Sequence, residues 1–141
     1  MKTLLDLNAL LDVIQNRQPH HADSARVLSA ARTGEFDPLI PFHAVTTIFY
    51  PVERAQDTAI ASQTVDWLLQ HFDVPIADKN TLLHARKLNL KDFEDAVVAS
   101  VAARHEREFI VSQNVVDFST SPVKAISPAD YLAILHPKKK S

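Results

Sequence analysis

The chain has 141 residues, enough for one domain with a proper core, and its formal net charge is −2. Its single glycine, Gly34, excludes Gly-rich phosphate loops and dinucleotide fingerprints, and the absence of cysteine excludes disulfides, thiolate metal sites and thiol nucleophiles. The near-neutral balance excludes nucleic-acid binding through a global positive field, so any RNA contact must be local or helped by a cation or a partner.

Lys2 to Leu7 is a short apolar run with one acid near its end, and it reads as a buried strand. From Asn8 the rhythm changes: Leu10, Leu11, Val13 and Ile14 suit one helix face, with Asn8 as cap. His20 to Ala31 reads as a second helix, ended by Thr33-Gly34. Leu39-Ile40-Pro41 is a short second strand, and Ala44 to Arg54 a helix that Pro51 either kinks or ends. Thr58 to Phe72 is a strong helix, Val74-Pro75-Ile76 a minimal extended piece, and Asp78 to Leu88 a helix capped by Asp78. Phe93 to His105 is a helix rich in small residues. Phe109-Ile110-Val111 and Val123 to Ile126 are strands, and Ser127-Pro128 opens a last helix.

Strands alternating with helices predict a parallel sheet covered on both faces, in one domain over residues 1–136 with a basic tail at 137–141. The first strand, near-continuously apolar, should be central. Lys138-Lys139-Lys140 reads as a solvated tail. No apolar run approaches the roughly 20 residues of a membrane span, and Met1 to Asp6 does not read as a signal peptide. No membrane contact is expected.

Function in such sheets gathers beyond the C-terminal ends of the strands. Asp6 follows the first strand; Ser112, Asn114 and Asp117 follow the Phe109 strand; Asp92, Glu94 and Asp95 open the helix leading into it. Each has a plainer explanation. Asp92 suits a helix cap with Asp95 as its capping-box partner, Asp117 suits a loop cap, and Asp6 suits a buried ion pair. Taken together, carboxylates from separate elements make a hard-oxygen site suited to magnesium or manganese. The seven histidines (20, 21, 43, 71, 84, 105 and 136) show no zinc-ligand spacing, and spacing alone sets them aside.

Four segments carry a family resemblance. Leu5-Asp6-Leu7-Asn8-Ala9-Leu10-Leu11-Asp12 resembles the opening of PIN domains, the fold of VapC-like toxin ribonucleases. Leu90-Lys91-Asp92-Phe93-Glu94-Asp95-Ala96 is similar to the segment whose DA aspartate binds metal, which aligns with Asp95. Ile110 to Phe118 resembles the TRN-x-x-DF segment, and Ser127 to Leu132 the C-terminal SP-x-x-hydrophobic helix. The resemblance implies a PIN-like three-layer α/β/α fold with a four- to five-stranded, mainly parallel sheet. It implies a cytoplasmic, magnesium- or manganese-dependent endoribonuclease, the toxin of a toxin–antitoxin pair. RNA would be its substrate, with an antitoxin and a second copy of the chain as partners.

By that resemblance Asp6, Asp95 and Asp117 are catalytic metal ligands, with Asp92 a further ligand. Asn8, Thr47, Ser112 and Asn114 are supporting polar groups, Ser112 by hydrogen bonding phosphate. Two departures stand out. Thr47 aligns with a glutamate of the third helix, and Asn114 stands where many members have aspartate. They leave two readings: a nuclease with a weakened site, or a non-catalytic PIN-like module that binds RNA or protein.

Overall fold

The computed structural model describes residues 1–137, so the lysine tail lies outside the described residues. In chain order the elements are β1 (Lys2–Leu5), α1 (Leu7–Ile14), α2 (His21–Arg32), β2 (Asp37–Leu39), α3 (Phe42–Ala55) and α4 (Thr58–His71). Then come α5 (Lys79–Lys87), α6 (Phe93–Arg104), β3 (Phe109–Val111), a 3-10 turn (Val115–Phe118), β4 (Lys124–Ile126) and α7 (Pro128–Leu135).

The four strands run parallel in the order β2-β1-β3-β4. β1 is interior, as its apolarity predicts, because Leu4 and Leu5 need cover on opposite faces. Leu5, Val111 and Ile126 enter one core with residues of α1, α2, α3, α4 and α7. Leu4, Ile110 and Ala125 enter the other, under Val98, Ala99, Val101 and Ala102 of α6. Period-2 alternation on interior strands therefore feeds two helical layers. Small residues on α6 let that helix lie close to the sheet.

Buried polar groups bolt the layers together. The hydroxyls of Thr3 on β1 and Tyr131 on α7 hydrogen bond at 2.6 Å with both residues fully buried. The Ser100 hydroxyl donates to the Thr81 carbonyl at 2.8 Å, and His84 Nδ1 meets the same hydroxyl at 2.8 Å, tying α5 to α6. Gly34 at φ +78° ends α2, where the Gly34 and Glu35 amides donate to the carbonyls of Ala31 and Ala30.

Two local expectations are corrected, the end of β1 with the cap of α1 and the bounds of β2. Strand β1 ends at Leu5, and Asp6, not Asn8, caps α1 through its side chain. Strand β2 is Asp37–Leu39 rather than 39–41, and Val74 to Ile76 forms no strand; only a Leu39–Asp73 parallel bridge extends the sheet there. Of the two outcomes open for Pro51, ending the helix does not occur, since α3 runs through it to Ala55. The bond it forgoes would reach the carbonyl of Thr47, an exposed residue whose carbonyl can turn to water.

Candidate active site

The strand order places the site. From β1 the chain crosses to β2 on one side, and from β3 to β4 on the other. The crevice between the C-terminal ends of β1 and β3 is therefore the switch point of the sheet, where such folds bind ligands. Asp6 and Ser112 stand at those two ends.

Asp6 continues the ladder, its amide donating to the Val111 carbonyl at 3.0 Å. Its carboxylate is buried and held on both oxygens. Oδ1 accepts the Leu7 amide at 2.8 Å, and Oδ2 accepts the Ser112 hydroxyl at 2.8 Å. The same hydroxyl accepts the Asn114 amide at 3.0 Å, so a short relay runs from the loop after β3 into Asp6. Burial raises the Asp6 pKa; the hydrogen bonds from Ser112 and Leu7 and a positive charge at His43 work against that, and Glu94 adds to it.

The other acids come from α6 and the 3-10 turn. Asp92 caps α6, its Oδ1 accepting the Asp95 amide at 2.9 Å, so the capping reading of Asp92 holds alongside any other role. Asp6, Leu7, Asn8, Asp92, Glu94, Asp95, Asn114 and Asp117 line one hollow of about 260 Å³. Five of these eight are acids, and none is basic. Burial and then the charges of Asp92, Asp6, Asp117 and Glu94 push the pKa of Asp95 up to about 6. A second hollow of about 460 Å³ shares Asp92, Asp95 and Asp117 and adds Asn89, Lys91, Ser119 and Thr120. The larger hollow between α2 and α7, about 530 Å³, holds one acid, Glu35, already engaged with His136. Chemistry rather than volume singles out the acidic crevice.

Of the residues expected at the site, Asp6, Asp92, Asp95, Asp117, Asn8 and Asn114 thus share one hollow, and Ser112 braces it from beneath. Ser112 is fully buried with its proton committed to Asp6, which corrects the expectation that it binds phosphate. Thr47 does not line that hollow. It is exposed on α3 around a separate depression with Thr46, Tyr50, Pro51 and Arg54. α3 begins at the sheet edge with Phe42, so Thr47 lies about 6 Å farther along the axis than His43, at roughly 1.5 Å per residue.

The α3 residue that does reach the acids is His43, whose Nε2 lies 3.5 Å from Glu94 Oε1. Neither residue is singled out by spacing in the sequence, because they meet from helices far apart in the chain. Glu94 is legible only as one of three acids opening α6.

The donor set fits a hard divalent cation: carboxylate and carboxamide oxygens, mutual repulsion with no basic counterpart in the hollow, and one buried, orphaned imidazole nitrogen, His43 Nε2. Among the described residues no three His, Asp or Glu side chains are already drawn around one point. Asp6 is buried and held on both oxygens and Asp92 is held by its cap on α6, whereas Glu94 and Asp117 are exposed side chains.

Fold and crevice together define a three-layer α/β protein with an acidic cleft at the switch point of its parallel sheet. The chain belongs to the PIN domain family, whose profile matches residues 2–116. Among solved structures it is similar to VapBC-1 from nontypeable Haemophilus influenzae, with a TM-score of 0.69 and 13% identity over 92% of this chain and 99% of that one. It is also similar to VapC20 of Mycobacterium tuberculosis, described as a Sarcin-Ricin loop cleaving toxin, with a TM-score of 0.67 and 11% identity over 86% and 98%. A third likeness is to PAE2754 from Pyrobaculum aerophilum, with a TM-score of 0.62 and 20% identity over 98% of each chain. At these identities the likeness is one of fold. No curated protein matches the chain in sequence. Among the described residues no helix is long and apolar enough to cross a membrane.

Proposed function

We propose that this protein is a metal-dependent endoribonuclease and the toxin of a toxin–antitoxin pair. The observation that carries the reading is Asp6: a buried carboxylate, locked by Ser112 and Leu7, facing four further acids at the switch point. Purely structural acids would be expected to disperse or find basic partners, since a cluster of like charges costs stability. The toxin named among the similar structures supports the substrate class, and a further similar structure, a toxin–antitoxin complex from Klebsiella pneumoniae, supports a protein partner.

Asp6 and Asp95 are the principal ligands in this reading, with Asp117 and Asp92 beside them. A bound magnesium or manganese ion supplies a lowered pKa for its water and offsets charge on the phosphate under attack. The chain's own residues do the rest. Ser112 and the Leu7 amide orient Asp6 so that it keeps one direction toward the hollow. Asn8 and Asn114 offer amide groups that orient water or a ribose hydroxyl. Lys91, on the wall of the adjoining hollow, is the cation nearest the acids along that wall and meets an RNA phosphate beyond the cleavage point. Thr47, on its separate surface, has no part in this.

The partner surfaces are apolar. Phe42, Val45, Leu69, Val74, Pro75 and Ile76 line a groove of about 480 Å³ between α3, α4 and the segment after α4. An antitoxin segment or a second copy of the chain covers it in this reading. The place of action is the cytoplasm, where RNA and magnesium are both present.

The deciding experiment is RNA cleavage with magnesium or manganese by the wild type and Asp6→Asn, with manganese binding measured by calorimetry. Cleavage and binding that both fall in the variant support the nuclease. A wild type that binds manganese but cleaves no RNA leaves the non-catalytic binding module. A wild type that does neither sinks the metal reading.

A further inference from the structure

We propose that His43 is a nitrogen ligand of the cation at this site and, with Glu94, tilts its preference from magnesium toward manganese. The inference rests on the metal-dependent reading and goes beyond it in naming a ligand that no spacing rule finds.

His43 sits in the first turn of α3, its side chain 26% exposed. Its Nε2 is buried and has no hydrogen-bond partner. Leaving such a buried atom unmatched is unfavourable, so a partner is expected within reach. The available acceptor is Glu94 Oε1 at 3.5 Å, which is too long for a hydrogen bond. Glu94 could close that gap at little cost, since its side chain is 57% exposed. The distance suits an ion pair with a protonated imidazole, and it is also close to the separation of two neighbouring ligands on one ion, about 3 Å for donors about 2.1 Å from a metal and at right angles.

Glu94 lines the same hollow as Asp6. The imidazole thus approaches the acids from α3, while the carboxylates come from β1, α6 and the 3-10 turn. That gives the cleft a donor from a fourth element and a softer atom among the oxygens. Magnesium takes oxygen ligands almost exclusively, whereas manganese accepts imidazole more readily.

The rival role for Nε2 is a hydrogen bond to the phosphate of the RNA. That role needs substrate, and metal ligation does not, so the test is done without RNA.

The test is pulsed electron paramagnetic resonance of the manganese-loaded full-length protein, which detects hyperfine coupling from a directly bound nitrogen. Calorimetric titrations with manganese and with magnesium accompany it, for wild type and His43→Gln. The wild type is expected to show the nitrogen coupling and the variant to lose it. Manganese affinity should fall about tenfold or more in the variant, while magnesium affinity changes by less than about twofold. The wild-type spectrum decides on its own if the variant fails to fold. Manganese bound without nitrogen coupling overturns the role of His43 and leaves the carboxylate site standing. No manganese binding by the wild type overturns both. Nitrogen coupling that persists in His43→Gln assigns the ligand to another histidine and overturns this one.

Discussion

Asp95→Asn should make the metal-free protein more stable at neutral pH. The folded state holds the Asp95 pKa at about 6, against 3.8 in the unfolded chain, through burial first and then the charges of Asp92, Asp6, Asp117 and Glu94. A raised folded pKa contributes stability below about pH 4 that is lost as pH climbs through 6, because ionised Asp95 is disfavoured in the fold. A shift of this size corresponds to about 3 kcal/mol if taken whole. Asp95 is only half-buried, and solvent screening brings this to about 1–1.5 kcal/mol. Asparagine keeps the shape and removes the charge. In a chain of 141 residues the gain appears as a rise in Tm of about 3–5 °C.

The assay is thermal unfolding in a chelator at pH 7.5 and again near pH 4. The gain should be present at the higher pH and nearly vanish at the lower, where Asp95 is protonated in the folded wild type. Excess manganese should reverse the order, since the wild type then gains from a ligand that the variant has weakened. A variant less stable than wild type in chelator at pH 7.5, or a difference that does not change with pH, would refute the electrostatic reasoning.

Ser112→Ala should leave Asp6 Oδ2 buried without its donor, costing about 1–3 kcal/mol by chemical denaturation. It should also push the Asp6 pKa up further, so manganese binding weakens and its pH dependence moves to higher pH. Thr47→Glu should leave manganese affinity unchanged and stability within about 0.5 kcal/mol by calorimetry and thermal melts, because Thr47 is exposed and does not line the acidic hollow. Tighter manganese binding in that variant would return α3's second turn to the site.

Much of the architecture was legible because it is written in local chemistry. The apolar run Thr3-Leu4-Leu5 requires cover on both faces, and it has it. Ser127 and Pro128 mark the start of α7, and the Ser127 hydroxyl does accept the Asp130 amide. β2 was misplaced because Asp37-Pro38 does not read as strand. Proline lacks the amide that a central strand needs, but β2 is an edge strand paired along its length only to β1, where proline is tolerated. The cap of α1 is hidden in the sequence because Asp6 looks like part of the strand, and only the turn of the chain after Leu5 frees its carboxylate to reach Leu7.

The acids of the crevice could be picked out because each follows a strand or opens a helix at a predictable edge. His43 could not. Its meaning lies in where α3 starts relative to α6, a tertiary relation with no periodic trace. Thr47 enters only through alignment to a pattern, and the pattern does not carry the position of the first helical turn.

The capping geometry of Asp6 and Asp92 has a consequence for how the protein lives with its own charge. Each carboxylate meets the start of a helix, α1 and α6, where aligned peptide units present about half a positive charge. Those two helix starts act as resident counterions, present from the moment the chain folds. On the metal-dependent reading, an ion would then be an arrival and not a scaffold, exchanging with the medium while the sheet, the relay through Ser112 and the crevice keep their shape.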